Sequence, residues 1–235
     1  MPVREILILA MSRMRSGICA AGMTTERDTV TSLRWVRPVR EFDTLLPGDL
    51  ADPDGRLFQC SDVIELSLVS PRPDPPHVED WVTDFIRCRP HLARRLEGER
   101  RADFFTRHLD HAPEDVLVRQ TRSLCLVKPE YVSASFSLDA YSGKYEARMS
   151  VALPHDMART NVSVTDLKWR ALGRTWLGNG GQLALEHSDL VERLGADAIY
   201  LALGLSRNYQ GQFWPLVVGV HVVPDYDAAI DLNRL

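Results

Sequence analysis

Lysine is almost missing from this chain: of its 28 basic residues only Lys128, Lys144 and Lys168 are lysines, and the rest are arginines. Arginine's planar fork suits phosphate and base-edge recognition, although an Arg- and Ala-rich, Lys-poor sequence is also what a GC-rich genome encodes. Long apolar runs are missing too. None approaches the roughly 20 residues that cross a bilayer, and ILILAM (6–11) is too short for a secretory signal, so a cytoplasmic protein without a membrane partner is expected. Cysteine is sparse and scattered. Cys19, Cys60, Cys88 and Cys125 form no C-x-x-C pair, which argues against a zinc ribbon and against a disulfide framework. The sequence also lacks a Walker loop, a dinucleotide glycine fingerprint and an H-x-E with P-C-x-x-C, the commonest NTPase, dehydrogenase and deaminase signatures. His108 and His111 stand at helical i, i+3 spacing but have no third ligand at a recognisable distance, so neither a metal nor another cofactor is expected.

What remains is a globular composition, 235 residues with 45% hydrophobic and 26% charged, enough for one large β domain or two of ordinary size. The net charge of -4 weighs against indiscriminate coating of nucleic acid, yet the charge is polarised: 87–107 carries seven arginines against Glu97, Glu99 and Asp103, while 186–235 is acidic.

Apolar runs bounded by turns predict strands over 4–10, 18–23, 33–39, 62–69 and 123–127. Pro38, with no N–H, should end its ladder or lie on an edge. The segment 43–62 is turn-rich, and SPRPDPPHVEDW (70–81) reads as an extended connector. The stretch 89–109 reads as a helix with Leu92, Leu96, Phe104, Phe105 and Leu109 on one side. In the second half, strict alternation over 130–138 and 144–153 around Ser142-Gly143 predicts a hairpin. A short strand at 161–165 follows, then helical material over 166–194 broken at 178–181, with Ser188 as an N-cap and Gly195 as the stop. Strands at 197–205 and 213–223 close the chain. Three strands, a helix and two strands is the order of an OB barrel. The first half offers five strands as well, but its helix falls after the fourth strand, and it fits that order less well.

The residues Ser12, Cys19-Ala20-Ala21-Gly22, Trp35-x-Arg37-Pro38, Gly143-Lys144 with Arg148, Val164-Thr165-Asp166, Tyr200–Leu205 and Pro215–Val220 are similar, in order and spacing, to the bacterial dual OB-containing family. The resemblance spans nearly the whole chain. It implies a mainly β (α+β) protein with helical insertions, built from two tandem OB-like barrels, here placed at 1–128 and 129–235. It also implies association with nucleic acid, DNA more than RNA, in a DNA-modification or phage-defence system, with partner proteins encoded in the same gene cluster.

Two functions stay open, beside a third, a small-ligand sensor, which would need an enclosed apolar pocket. As a binding module, the chain would use Arg13, Arg15, Lys144, Arg148, Lys168 and Arg170 for phosphates and the loop aromatics Tyr141 and Tyr209 for base stacking. Trp35, Tyr131, Phe136, Trp169 and Trp214 are further aromatics, most of them expected in the core. As an enzyme acting on a base in DNA, for example hydrating the nitrile of a cyano-deazaguanine, it would use Cys19 as nucleophile, Asp166 as acid–base group and Arg37 to steady charge. Each residue has a plain structural role beside the chemical one. A free cysteine is usually buried and inert, the reading given to Cys60, Cys88 and Cys125 outright, and Asp166 at a strand-to-helix junction is a helix cap. If the barrels pack edge to edge, Cys19, Arg37 and Asp166 meet in one cleft.

Overall fold

The computed structural model describes residues 3–14, 16–25, 34–154, 157–178 and 181–231. The first sheet is made of β1 (Val3–Met14), β2 (Gly17–Thr24), β3 (Trp35–Val39), β4 (Asp62–Pro71), β5 (Asp80–Thr83) and β6 (His91–Arg95). Its strands run in the order β1-β2-β3-β5-β4, and β4 pairs back onto β1. The ladder therefore closes into a five-stranded barrel, with β3 and β5 parallel and the remaining barrel pairs antiparallel. That is OB order, so the first half fits the pattern fully. A 3-10 turn, Pro47–Leu50, occupies the place between the third and fourth strands where the OB order has a helix.

Two expectations change here. The fifth strand of this barrel is Asp80–Thr83, at the end of the supposed connector; Leu124–Val127 belongs to the other sheet. The helix expected over 89–109 is shorter. His91–Arg95 pairs with β4, and α1 covers only Gly98–Arg107, entered through Gly98 at φ 55°.

The second sheet follows α2 (Glu114–Leu117) and comprises β7 (Leu124–Val127), β8 (Tyr131–Leu138), β9 (Tyr145–Leu153) and β10 (Met157–Val164). After α3 (Leu167–Leu177) it continues with β11 (Gly181–Leu185), and after α4 (His187–Leu194) with β12 (Ala198–Leu205) and β13 (Pro215–Val223). The order is β11-β8-β9-β10-β13-β12-β7, with β10 and β13 parallel. Within it, β8-β9-β10-β13-β12 repeats the OB order. β7 lies on β12 and β8 on β9, so these two short strands together do what the long, twice-paired β1 does in the first barrel. Pro129, unable to donate to a ladder, lies in the gap between them. Helix α4 starts from Glu186 rather than Ser188 and ends at Gly195, whose φ of 59° and ψ of 41° are the left-handed C-cap that glycine accepts at no steric cost.

β1 explains its own sequence. Ile6 to Met11 are all buried, on both faces, because one face fills the first barrel and the other meets the second. Ile6, Ile8 and Met11 join the first core, whereas Leu7 and Leu9 pack with Phe105, Leu126 and Tyr200 at the seam. A register shift between Ile8 and Ala10 allows that division. At the seam β13 crosses β1 so closely that a Cβ on Gly219 would sit 2.0 Å from the Leu9 carbonyl oxygen, which accepts from His221 Nε2 at 2.8 Å. Arg13 N donates to Thr165 O at 2.8 Å, tying the end of β1 to the junction before α3. Arg101 of α1, buried, completes the seam by donating to Ser61 Oγ (2.7 Å) and Val222 O (2.5 Å). Among the described residues no helix is long and apolar enough to cross a membrane.

Candidate functional site

Between the barrels lies a cavity of about 540 Å³. The first barrel contributes the face of β2 and β3 through Ile18, Cys19, Ala21, Arg37, Pro38 and Val39. It also contributes Met14, where β1 leads into β2, and Arg72, Pro73 and Asp74 from the β4–β5 loop. The second barrel supplies the opposite wall, from Gly204 through Arg207, with Leu216 and Val218. The face of strands 2 and 3 with the 1–2 and 4–5 loops is where OB folds take oligonucleotides and oligosaccharides. Here the β12–β13 loop, which joins strands 4 and 5 of the second barrel, leans over that face.

The two 4–5 loops hold each other. His77 Nε2 lies 3.1 Å from Ser206 O, and the His77 ring meets Phe213 edge-on at 5.7 Å. Asp80, 3% exposed, accepts from Arg37 Nε at 2.5 Å and from Arg207 Nη2 at 2.7 Å, one arginine from each barrel. Glu79, also buried, accepts from the backbone N–H of Ser123 (2.9 Å) and Leu124 (3.1 Å) and from the Ser123 hydroxyl (2.8 Å), fixing the start of β7. Burial, reinforced by the charges of Arg37 and Arg207, pushes the His77 pKa down to about 4, so the imidazole is neutral. Arg37 is only 5% exposed, yet its Nη2 has no hydrogen-bond partner among the described residues.

Cys19 is half-buried beside Arg37 in this cavity. Burial raises its pKa, outweighing the lowering by Arg37, Arg207 and the hydrogen bond of Ser12, so the resting species is the thiol. Asp166 does not line the cavity. It is 1% exposed, and its carboxylate accepts from Trp169 N (2.6 Å) and Val220 N (3.0 Å), capping α3 and pinning β13. Burial raises its pKa to about 7 against the opposing pull of those backbone N–H groups. The cleft between the barrels thus unites Cys19 and Arg37 but puts Asp80, not Asp166, beside them.

Of the arginines and lysines singled out for phosphate, Arg13 is exposed at the cavity, and Arg15 lies outside the described residues. Lys144 and Arg148 share Glu146, at 2.6 and 3.5 Å, on the far hairpin. Lys168 and Arg170 turn inward. Lys168 is buried against Asp225 (3.0 Å) and the Tyr226 ring, and Arg170 against Val164 O and the Tyr145 ring, with its pKa lowered to about 10 by desolvation. The reason is α3, whose buried face includes positions 167 to 170. Tyr141 and Tyr209 are both exposed, as is Trp214; Phe136 and Trp169 fill the second core, and Tyr131 hydrogen-bonds Glu186. Trp35 is half-buried at the seam. Cys60 and Cys125 are buried, but Cys88 is exposed, on the bend after Phe85. Among the described residues no three His, Cys, Asp or Glu side chains are placed to hold a metal ion.

His77, Asp80 and Arg207 were not singled out from the sequence. The one local sign was the pair Glu79-Asp80 directly ahead of Trp81-Val82, acids leading into an apolar strand; nothing in the sequence points from there to Arg207.

Two barrels of OB order, joined by a shared cleft, define a dual OB protein, a fold suited to binding nucleic acid. The chain belongs to the dual OB-containing domain family, which matches residues 4–220. Neither the curated proteins nor the solved structures contain a match.

Proposed function

We propose that this protein binds nucleic acid, a single strand or a strand carrying a modified base, along the β2–β3 face of its first barrel. The observation that carries this reading is the coincidence of an arginine-lined cavity with that face and with the 4–5 loops of both barrels. Arg13 and Arg72 lie at its exposed margin, and Tyr209 and Trp214 stand exposed on the neighbouring loop at 57% and 52%. Bases stack on such aromatics for roughly 1–3 kcal/mol each. The preference for DNA over RNA, the setting in bacterial DNA modification or phage defence, a cytoplasmic location and partners from the same gene cluster rest on the family resemblance. Fluorescence anisotropy with a labelled oligothymidylate tests the reading: affinity should fall steeply as salt rises, because each phosphate contact releases counterion. Absence of binding at low salt, or binding indifferent to salt, overturns it.

A second reading, an enzyme altering a base, is favoured by the placement of Cys19 beside Arg37 inside the cavity. For a nitrile-bearing base, the sulfur would bond to the nitrile carbon as the thiol proton passes to nitrogen, giving a thioimidate. Water then adds to that carbon, the C–S bond breaks, and the thiol is regained with a carboxamide as product. Intact-mass analysis decides it. A gain of one water that Cys19→Ala abolishes supports the reading, and unchanged substrate removes it.

A further inference from the structure

Building on the nucleic-acid reading, we infer that the cavity between the barrels receives one guanine-type nucleotide, its base edge on Arg37 and its phosphate at the arginines of the mouth. At about 540 Å³ the cavity belongs to the size class of small-molecule sites and admits a single nucleotide, not a run of stacked bases. Small and apolar residues, Ala10, Ala21, Gly204, Leu216 and Val218, give it a surface on which a planar ring can lie.

The depth of the cavity asks for a neutral acceptor. Arg37 is buried, and its Nη2 has no partner among the described residues; a buried donor left in that state carries a desolvation penalty that a ligand acceptor would recover. Phosphate is the wrong acceptor there. Arg37 and Arg207 are already balanced by Asp80 and the neighbouring Glu79, so an anion brought to this depth would lose its hydration beside two carboxylates. A ring nitrogen or carbonyl carries no such penalty.

The mouth is different. Arg13 is exposed at the rim of the cavity. The Arg72 guanidinium donates to the backbone carbonyls of Arg40 and Glu41 and, among the described residues, meets no carboxylate that neutralises its charge. The phosphate belongs at this margin and the base inside. With Nε held by Asp80, the open Nη2 still carries two N–H groups and can only donate, so it selects an edge with two acceptors, and among the bases guanine presents O6 and N7 side by side.

The test compares two labelled oligothymidylates, one with a single central guanine and one with 2-aminopurine there, which lacks the O6 acceptor. Wild type should bind the guanine strand at least about fivefold more tightly, and Arg37→Lys, which keeps the charge but loses the fork, should bring the ratio close to one. Should Arg37→Lys fail to fold, as read by circular dichroism, Leu216→Trp at the half-buried wall carries the same test by filling the cavity. Equal affinity of wild type for the two strands overturns the guanine pocket and leaves nucleic-acid binding standing. Saturable, Arg37-dependent binding of free GMP without any strand binding supports the pocket and removes the nucleic-acid reading. Binding of neither removes both.

Discussion

Arg37 and Arg207 come from different barrels and hold opposite oxygens of the same carboxylate, that of Asp80, at 2.5 and 2.7 Å. The arginines are not equivalent. Arg37 is buried, whereas the Arg207 side chain is 44% exposed. Asp80→Asn leaves Arg37 as a buried charge without its counter-ion and should cost about 3–5 kcal/mol of stability. Arg207→Ala removes a partner that water can replace and should cost no more than about 1 kcal/mol. Urea unfolding of both variants measures the difference. Equal losses would mean that Asp80 acts mainly as a clamp between barrels and not as compensation for Arg37.

The barrels also depend on the absence of one methyl group. A Cβ at Gly219 would meet the Leu9 carbonyl oxygen at 2.0 Å, backbone against backbone, and neither strand can turn away without losing its ladder. Gly219→Ala should therefore lower stability by at least the roughly 1–3 kcal/mol typical of overpacking, and the melting temperature reads it. Gly48→Ala is the control. Nothing lies within 4 Å of a Cβ there, so its effect should stay within about 0.5 kcal/mol.

These residues also mark how far a sequence can be read. Local pattern is enough for Ile6 to Met11, whose unbroken apolar run means burial on two faces, for the 130–153 hairpin with its strict alternation, and for the Gly195 stop. It is not enough for β5 and β6. Asp80–Thr83 is four residues long, and two of the five residues of His91–Arg95 are arginines; both are strands because β4, and for β5 also β3, offers them free backbone groups. The candidate site fails to show for the same reason. Asp80 and Arg207 lie 127 positions apart and meet through the crossing of β1 and β13, which no spacing encodes. Lys168 and Arg170 look like surface charge in sequence, and only the docking of α3 turns them inward.

Three buried groups predict the pH profile of stability. His77 and His221 are held at pKa values of about 4 and about 3 by burial, below the ordinary 6.5, so unfolding lets each bind a proton as pH drops. Their stabilisation is complete above pH 6.5 and is lost as pH falls through that range. Asp166, raised to about 7 from 3.8, works in the opposite sense: the fold prefers its protonated form, and stability is lost as pH rises from 3.8 to 7. Between about pH 4 and 6.5 two protons oppose one, giving a net gain with pH of about 1.4 kcal/mol per unit. Asp166→Asn should steepen that limb, and His221→Gln, which keeps a donor for Leu9 O, should flatten it. Urea unfolding across this range checks both slopes, and a His221→Gln profile as steep as wild type would contradict the assignment.

The thiols separate the binding and enzyme readings without any substrate. Cys88 is exposed, Cys19 is half-buried, and Cys60 and Cys125 are buried with pKa values pushed upward by desolvation. Since the thiolate is the reacting species, iodoacetamide near neutral pH should label Cys88 first and Cys19 slowly, and should reach Cys60 and Cys125 only on unfolding. Peptide mapping over time gives the order, and Cys88→Ser should remove the fast phase. A nucleotide seated in the cavity should protect Cys19 and leave Cys88 unaffected, because only Cys19 lines it. The informative deviation is a Cys19 that outpaces Cys88. Burial would then have lost to Arg37 and Arg207 in setting its pKa, a thiolate would stand ready beside the guanidinium, and the nucleophile would become the better account of why a cysteine faces this cavity.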